Sequence, residues 1–529
     1  MWEKGWRQRA WQELDGKWDI LIIGGGITGA GILRRAVQEG YRTLLVESGD
    51  FSSGTSSRSS KLIHGGFRYL RNKQFRVTRE SVREREWLLK EARHLVTPLG
   101  FLMPCPDDRK LTSQFAVGVI LYDLLAPKWH HSRLNSHDML DRCPALDADQ
   151  LHCGFLYYDA GMDDACMVLR LIRESVSAGG CAINYARAAA LLKETNGRVC
   201  GAVIKDTATG GFQEKEVLAR VVINATGPWS DEVRAGVNAP ARLRKLRGSH
   251  LVFSRQRLNL PYAVTLLHPR DRRAMFAIPW EGVSLIGTTD LDHTLPLSQG
   301  EPYTTQEEID YILEAANATF PGLQLDRADI ISTFSGLRPV VNTGQADPSK
   351  ESRAHVVWEE NGLVTITGGK YTTFRIMAED ALRAAMPALP HPANLLRPKS
   401  YFSPLPTRSS PQGMAAETWL YLLGRYGNET IQLFENAEEG ENQPVGSLPN
   451  LWSEVRWAAR CGAVEHLDDL LLRRVRLGLL LPHGAQEEMA RVREIVQPEL
   501  GWDDARWQAE FTRYVELYKK AYSPSPAGF

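Results

Sequence analysis

No run of eighteen apolar residues occurs anywhere in the 529-residue chain, so no segment of it is expected to span a bilayer. Neither sign of charge is in excess. The 63 Lys and Arg residues balance 63 Asp and Glu, which removes the basic surplus expected of a nucleic-acid binder. The seven cysteines (105, 143, 153, 166, 181, 200 and 461) form no C-x-x-C pair and no zinc-like spacing, so reduced thiols in a cytosolic setting are expected. The N-terminus, MWEKGWRQRAWQELDGK, lacks the apolar centre of a signal peptide. His130, His131 and His137 in WHHSRLNSH have no acidic or cysteine partners in a ligand pattern, so they read as a loop and no metal is expected.

What is present is ordinary globular composition, 43% apolar and 24% charged, on a chain too long for one core. Residues 1–17 form an arm in which Trp2, Trp6, Ala10 and Leu14 recur every fourth position, with Lys4, Arg7 and Arg9 between them. Such an amphipathic arm suits either a membrane interface or packing on the protein's own surface, and both readings stand at this point.

From Trp18 the run WDILIIGGGITGAGILRRAVQEGYRTLLVESGDF reads as strand (20–23), glycine turn, helix (27–39) and strand (43–46). Gly24, Gly26 and Gly29 sit at the strand-to-helix turn, where a backbone stripped of side chains can approach a pyrophosphate at a helix N-terminus. Glu47 ends the second strand, where a carboxylate can bind the adenosine ribose. A further buried strand (221–224) runs into Ala225-Thr226-Gly227, a second fingerprint of FAD-binding Rossmann proteins, and no second GxGxxG occurs. FAD is therefore the expected cofactor.

Segments 247–255, 275–290 and 335–341 alternate apolar and polar residues, as half-buried antiparallel strands do. The expected fold is an α/β FAD-binding Rossmann-type domain (about 18–100, 150–245 and 330–390) with an inserted antiparallel-sheet substrate domain (about 101–149 and 246–329). Residues 362–386 return as strand, glycine turn (Gly368, Gly369) and helix. Seven of the 28 prolines crowd into 387–411, marking a linker over 391–411 before a C-terminal α-helical domain, 412–529. Residues 435–450 read as a loop within it.

The stretch SSGTSSRSSKLIHGGFRYL starts shortly after Glu47 and is expected to run along the cofactor. Thr55, Ser56, Ser57 and Ser60 can bond pyrophosphate and ribityl oxygens, and Gly65 and Gly66 allow backbone contact with the isoalloxazine. Lys61, Leu62, Gly369 and Thr372 complete the expected cofactor contacts.

The motifs IIGGGITGAGI, TSSRSSKLIHGGFRYL, DDA (163–165), NATGPW, KLRGSH, IPW, IGTTD, SGLRPV and GGKYTTFR run in order across residues 18–385. In these the chain closely resembles the FAD-dependent, respiratory glycerol-3-phosphate dehydrogenases, flavoproteins of the D-amino-acid-oxidase-like fold, and EVRWAARCGAVEHLDDLLLRRVRLGL resembles their helical domain. The resemblance implies oxidation of sn-glycerol 3-phosphate with electrons passed to a membrane quinone, at the cytoplasmic face of the plasma membrane as a peripheral protein, and leaves room for a homodimer. It implies His64 as the base, with His250 in RGSH as the alternative. Arg68, Tyr69, Arg353 and Lys370 are expected to bind the substrate phosphate, and Arg338 to stabilise charge at the substrate hydroxyl. Three positions depart from the family pattern: Arg35 for an aspartate, expected at the surface, Cys166 for an arginine and Ala354 for an acid. Oxygen-using oxidases of the family carry a sizeable insertion not seen here. Another polyol phosphate as substrate, or oxygen as acceptor, are the alternative readings.

Overall fold

The computed structural model describes residues 2–66, 75–105, 109–125, 131–208, 210–211, 213–348 and 351–524. Its first sheet grows from the strand Trp18–Ile23, which pairs in parallel with Thr43–Val46 on one side and Glu214–Asn224 on the other. Cys181–Ile183 and Leu363–Gly368 extend the parallel array, and His355–Glu360 closes one edge antiparallel. The two-residue period of the first strand sorts its apolar side chains. Ile20 and Ile22 join the core beneath helices Ile27–Gln38, Asp164–Ser177 and Phe374–Ala385, while Leu21 and Ile23 face the opposite core. That opposite core is closed by a hairpin, Ala186–Lys193 with Val199–Asp206, and by the N-terminal helix Trp6–Glu13.

The N-terminal tryptophans therefore serve the protein's own core. Trp2 and Trp11 are buried, Trp2 stacks on Phe51 at 5.1 Å, and Arg7 is tied to Asp206 at 2.6 Å. Of the two readings of residues 1–17, packing on the protein's own surface is the one this geometry supports, with Trp2 and Trp11 covered and Trp6 partly buried. No helix among the described residues is long and apolar enough to cross a membrane.

The second sheet is mostly antiparallel. Leu243–Ser254 lies between Ile330–Val341 and Val283–Gly287, followed by Ala274–Trp280, Ala263–Leu267, Val96–Cys105 and Cys153–Met162. The boundaries expected at 150 and 330 therefore shift, since Cys153–Met162 and Ile330–Val341 both belong to this sheet. Cys153–Met162 is buried along nearly its whole length, so it lacks the alternation that marks a half-buried strand.

Of the C-terminal helices, Trp452–Cys461, Met489–Leu500 and Asp504–Ala521 share one apolar core with the second sheet, while Ala416–Tyr426 packs Leu422 and Tyr426 into a smaller cluster with Leu433 and Trp457. Buried charge fastens them further. Asp50, three residues past Glu47, accepts from Arg473 and Arg474, and Asp163 accepts from Arg476 (2.8 Å) and forms an ion pair with Arg425 (2.9 Å). Removing one member of such a buried pair typically costs ~3–5 kcal/mol, because its partner is left charged and dry. Arg35 is also buried, contrary to the surface placement expected. It donates to the carbonyls of Asn394 (2.9 Å) and Arg397 (3.1 Å) and pairs with Glu39, because the proline-rich linker folds back over its helix.

Candidate active site

A cavity of about 1460 Å³ is lined from both sheets, beyond the ~300–1,000 Å³ of a drug-sized site and suited to a dinucleotide with a small substrate. Where the parallel strands end, its wall is made by Gly24, Gly26, Glu47, Ala225, Thr226 and Gly227. Gly24 has φ +114°, and a Cβ there would lie 2.6 Å from the Ala225 carbonyl oxygen. A Cβ at Gly29 would come within 1.9 Å of the Gly24 oxygen, so Gly29 shapes the turn from behind without lining the cavity. Glu47 is held by the N–H groups of Gly25 (2.6 Å) and Gly49 (2.9 Å), which fixes its carboxylate at the strand end. These residues fit FAD: the turn lays bare backbone at a helix N-terminus, and a Cβ at Gly26 would press on Ser56 Oγ at 3.0 Å.

The loop 55–66 continues the wall with Thr55, Ser56, Ser60, Leu62, His64 and Gly66. Ser56 Oγ accepts from Ile27 N–H at 3.0 Å, tying the loop to the helix start. Ser57, Lys61 and Gly65 do not line the cavity. The Lys61 ammonium is fully buried, bonded to both Asp164 oxygens (2.8 and 2.9 Å) and to the Ser57 carbonyl (2.6 Å), so it braces the loop from below. Burial, opposed by Asp164, brings its pKa down to about 8. Gly65 N–H donates to Asp159 at 3.1 Å. Arg68 and Tyr69 lie outside the described residues.

Across the cavity stand Arg338, Arg353, Gly369, Lys370 and Thr372. Burial lowers the Lys370 ammonium to about 7, and its Nζ donates to Ser81 Oγ at 2.6 Å. His250 is not on the wall. It is buried, stacks on Phe334 at 4.7 Å, and meets Ser60 Oγ at 2.9 Å through Nε2. Burial first, then the charges of Arg338 and Lys61, hold its pKa well below the ordinary histidine value.

Residues 19–375 match the family model of FAD dependent oxidoreductases, and residues 365–507 match that of the C-terminal domain of alpha-glycerophosphate oxidase. Glycerol-3-phosphate dehydrogenase 2 of Mycobacterium tuberculosis is 36% identical, over 96% of this chain and 89% of its own. The chain belongs to the FAD-dependent glycerol-3-phosphate dehydrogenases. The human mitochondrial glycerol-3-phosphate dehydrogenase is also 36% identical, over 96% of this chain and 74% of its own. The glycerol-3-phosphate dehydrogenase from Bacillus halodurans complexed with FAD superposes with a TM-score of 0.78 at 27% identity, with both chains covered in full. The Mycoplasma pneumoniae L-alpha-glycerophosphate oxidase, at 17% identity and a TM-score of 0.58, shares the fold.

Within this family fold, two cavity residues escaped the sequence reading: Arg273 and Asp290, 3.0 Å apart. Asp290 stands in the IGTTD motif, which could have drawn attention to it. Arg273 sits in PRDRRAMF with nothing to separate it from its neighbour Arg272.

Proposed function

We propose that the enzyme oxidises the secondary alcohol of sn-glycerol 3-phosphate to the ketone of dihydroxyacetone phosphate, with a membrane quinone as final acceptor. One observation carries the substrate half: Arg273, Arg338 and Arg353 converge on one cavity that Lys370 and His64 also line. Forked guanidinium donors are the groups that hold a phosphate dianion in one orientation. FAD, when bound, supplies the two-electron acceptor for the carbon-bound hydrogen.

The chain supplies the rest. His64 takes the hydroxyl proton, a role for which an imidazole on the cavity wall is suited. Arg353 and Lys370 hold the phosphate, and Arg338, which donates to Asp290 (3.0 Å) and to Thr288 Oγ1 (3.1 Å), steadies negative charge on the substrate oxygen. His250 is too deeply buried for the base role and acts through Ser60.

The acceptor half rests on the helix Arg109–Leu125. Its Phe115 lines the cavity, while Val117, Ile120 and Leu121 are exposed by 58%, 50% and 38%. Exposed aliphatic side chains beside the mouth of a redox site suit a lipid surface carrying quinone, which on this reading is the inner face of the plasma membrane.

The test is an anaerobic titration of the flavin-loaded protein with glycerol 3-phosphate, following the oxidised flavin band, with glycerol as control. Bleaching by the phosphate ester alone is expected. A flavin that stays oxidised overturns the substrate assignment and turns the search to other polyol phosphates.

A further inference from the structure

Asp290 gathers three arginines that are far apart in the chain. Its side chain is 1% exposed and lies 3.0 Å from Nη2 of Arg273, Nη1 of Arg338 and Nη2 of Arg353. Arg273 precedes the strand Ala274–Trp280, Arg338 stands on Ile330–Val341, and Arg353 precedes His355–Glu360. All four residues line the cavity.

A buried carboxylate in an anion site needs a reason, since through space it repels the ligand. Three guanidiniums brought together also repel one another, and long side chains resist being fixed in one rotamer. One carboxylate bonded to each of them answers both difficulties and still leaves two positive charges in surplus among the four side chains.

We propose that Asp290 is the positioning residue of this arginine cluster, and that Arg273 is an arm of the phosphate clamp beside Arg353 and Lys370, while the same carboxylate anchors Arg338 at the substrate oxygen. The inference rests on the phosphate-ester substrate proposed above. Asp290 sets the spacing and orientation of the three forks, so that phosphate meets a prearranged set of donors. Preorganisation of this kind acts on affinity, since the entropy of ordering the forks is spent on folding instead of on binding.

The two roles of a carboxylate in this place predict opposite results. If Asp290 is only a counter-charge, Asp290→Asn makes the site more positive and tightens anion binding. If it positions the clamp, the same variant loosens it. The experiment compares flavin-loaded wild type and Asp290→Asn by anaerobic flavin reduction with glycerol 3-phosphate, and by inorganic phosphate binding followed through the flavin absorption band. Expected is at least a tenfold rise in the half-saturating concentration of both; the limiting reduction rate falls as well, because Arg338 loses an anchor, whereas the phosphate titration reads the clamp alone. Unchanged or tighter phosphate binding overturns the proposal. Should Asp290→Asn fail to retain flavin, Arg273→Lys carries the test, because a single ammonium cannot replace the fork; an unchanged phosphate affinity there overturns it equally. A wild-type enzyme that binds phosphate but is not reduced by glycerol 3-phosphate counts against the substrate reading and leaves the clamp standing.

Discussion

Ser60 Oγ lies 2.9 Å from Nε2 of His250, so a hydroxyl on the cavity wall separates the buried imidazole from whatever fills the cavity. Nδ1 of His250 is buried and has no hydrogen-bond partner among the described residues. An unsatisfied acceptor nitrogen costs less than an unsatisfied N–H, which favours the neutral tautomer with its proton on Nε2. Ser60 then accepts from His250 and turns its own O–H elsewhere. With its pKa held well below the ordinary value, His250 stays neutral across the working pH range and adds no inflection to a pH–rate profile.

Substitution of the two histidines should therefore separate them. His64→Asn is expected to slow flavin reduction by glycerol 3-phosphate ~100-fold or more, the usual scale of a lost general base. His250→Asn should slow it less than tenfold and leave the shape of the profile intact. Stopped-flow reduction across pH 6 to 9 checks both, and a larger loss in the His250 variant would reverse the assignment.

The cofactor turn makes a sharper distinction between neighbouring glycines. At Gly26 a Cβ meets only the movable Ser56 hydroxyl at 3.0 Å, whereas at Gly29 it meets the Gly24 backbone oxygen at 1.9 Å. Gly26→Ala should fold and bind FAD at least tenfold more weakly. Gly29→Ala should yield little folded protein. FAD dissociation constants and thermal melts decide, and wild-type FAD affinity in Gly26→Ala would refute the proposed pyrophosphate contact.

Much of this architecture is legible along the chain because its signals are local. The strand 20–23, the glycine turn and Glu47 lie within thirty residues, and their period and chemistry need no distant partner. What stayed hidden depends on what folds back. The four-residue period of Trp2, Trp6, Ala10 and Leu14 shows an apolar side but not that the Rossmann core covers it. Arg35 reads as a surface charge until the linker carbonyls of Asn394 and Arg397 arrive above it. His250 shares a strand face with Gly248 and Leu246, yet only the descent of Ser60 decides that it is sealed off. The meeting of Arg273, Arg338 and Arg353 on Asp290 depends on a sheet register that no single segment contains.

Lys370 gives the substrate affinity a pH dependence of known sign. Its free-enzyme pKa, lowered by burial to about 7, rises when a phosphate dianion binds beside it. The lysine's contribution is therefore full below pH 7 and is lost as pH climbs above it. A phosphate monoester with its second pKa near ~6 is already largely dianionic at pH 7, so ligand ionisation does not offset the loss. KM for glycerol 3-phosphate should rise between pH 7 and 9, by at most about tenfold per unit. Lys370→Arg, which keeps its charge throughout, should flatten that limb. A flat wild-type profile would show that Lys370 does not touch the phosphate.

The membrane side is tested by contrast between two apolar groups. Val117, Ile120 and Leu121 are exposed on a helix that reaches the cavity through Phe115, whereas Trp2 is 4% exposed and stacked on Phe51. Replacing Val117, Ile120 and Leu121 together by serine removes apolar surface from solvent and should leave the fold and the flavin half-reaction untouched. It should weaken co-sedimentation with phospholipid vesicles at least fivefold, and slow turnover with a vesicle-borne quinone while a soluble dye acceptor is reduced as before. Trp2→Ala should do the reverse, costing ~3 kcal/mol of stability through the cavity it opens and leaving vesicle binding unchanged. Vesicle binding that follows Trp2 and ignores the serine triple variant would move the membrane contact away from the helix Arg109–Leu125.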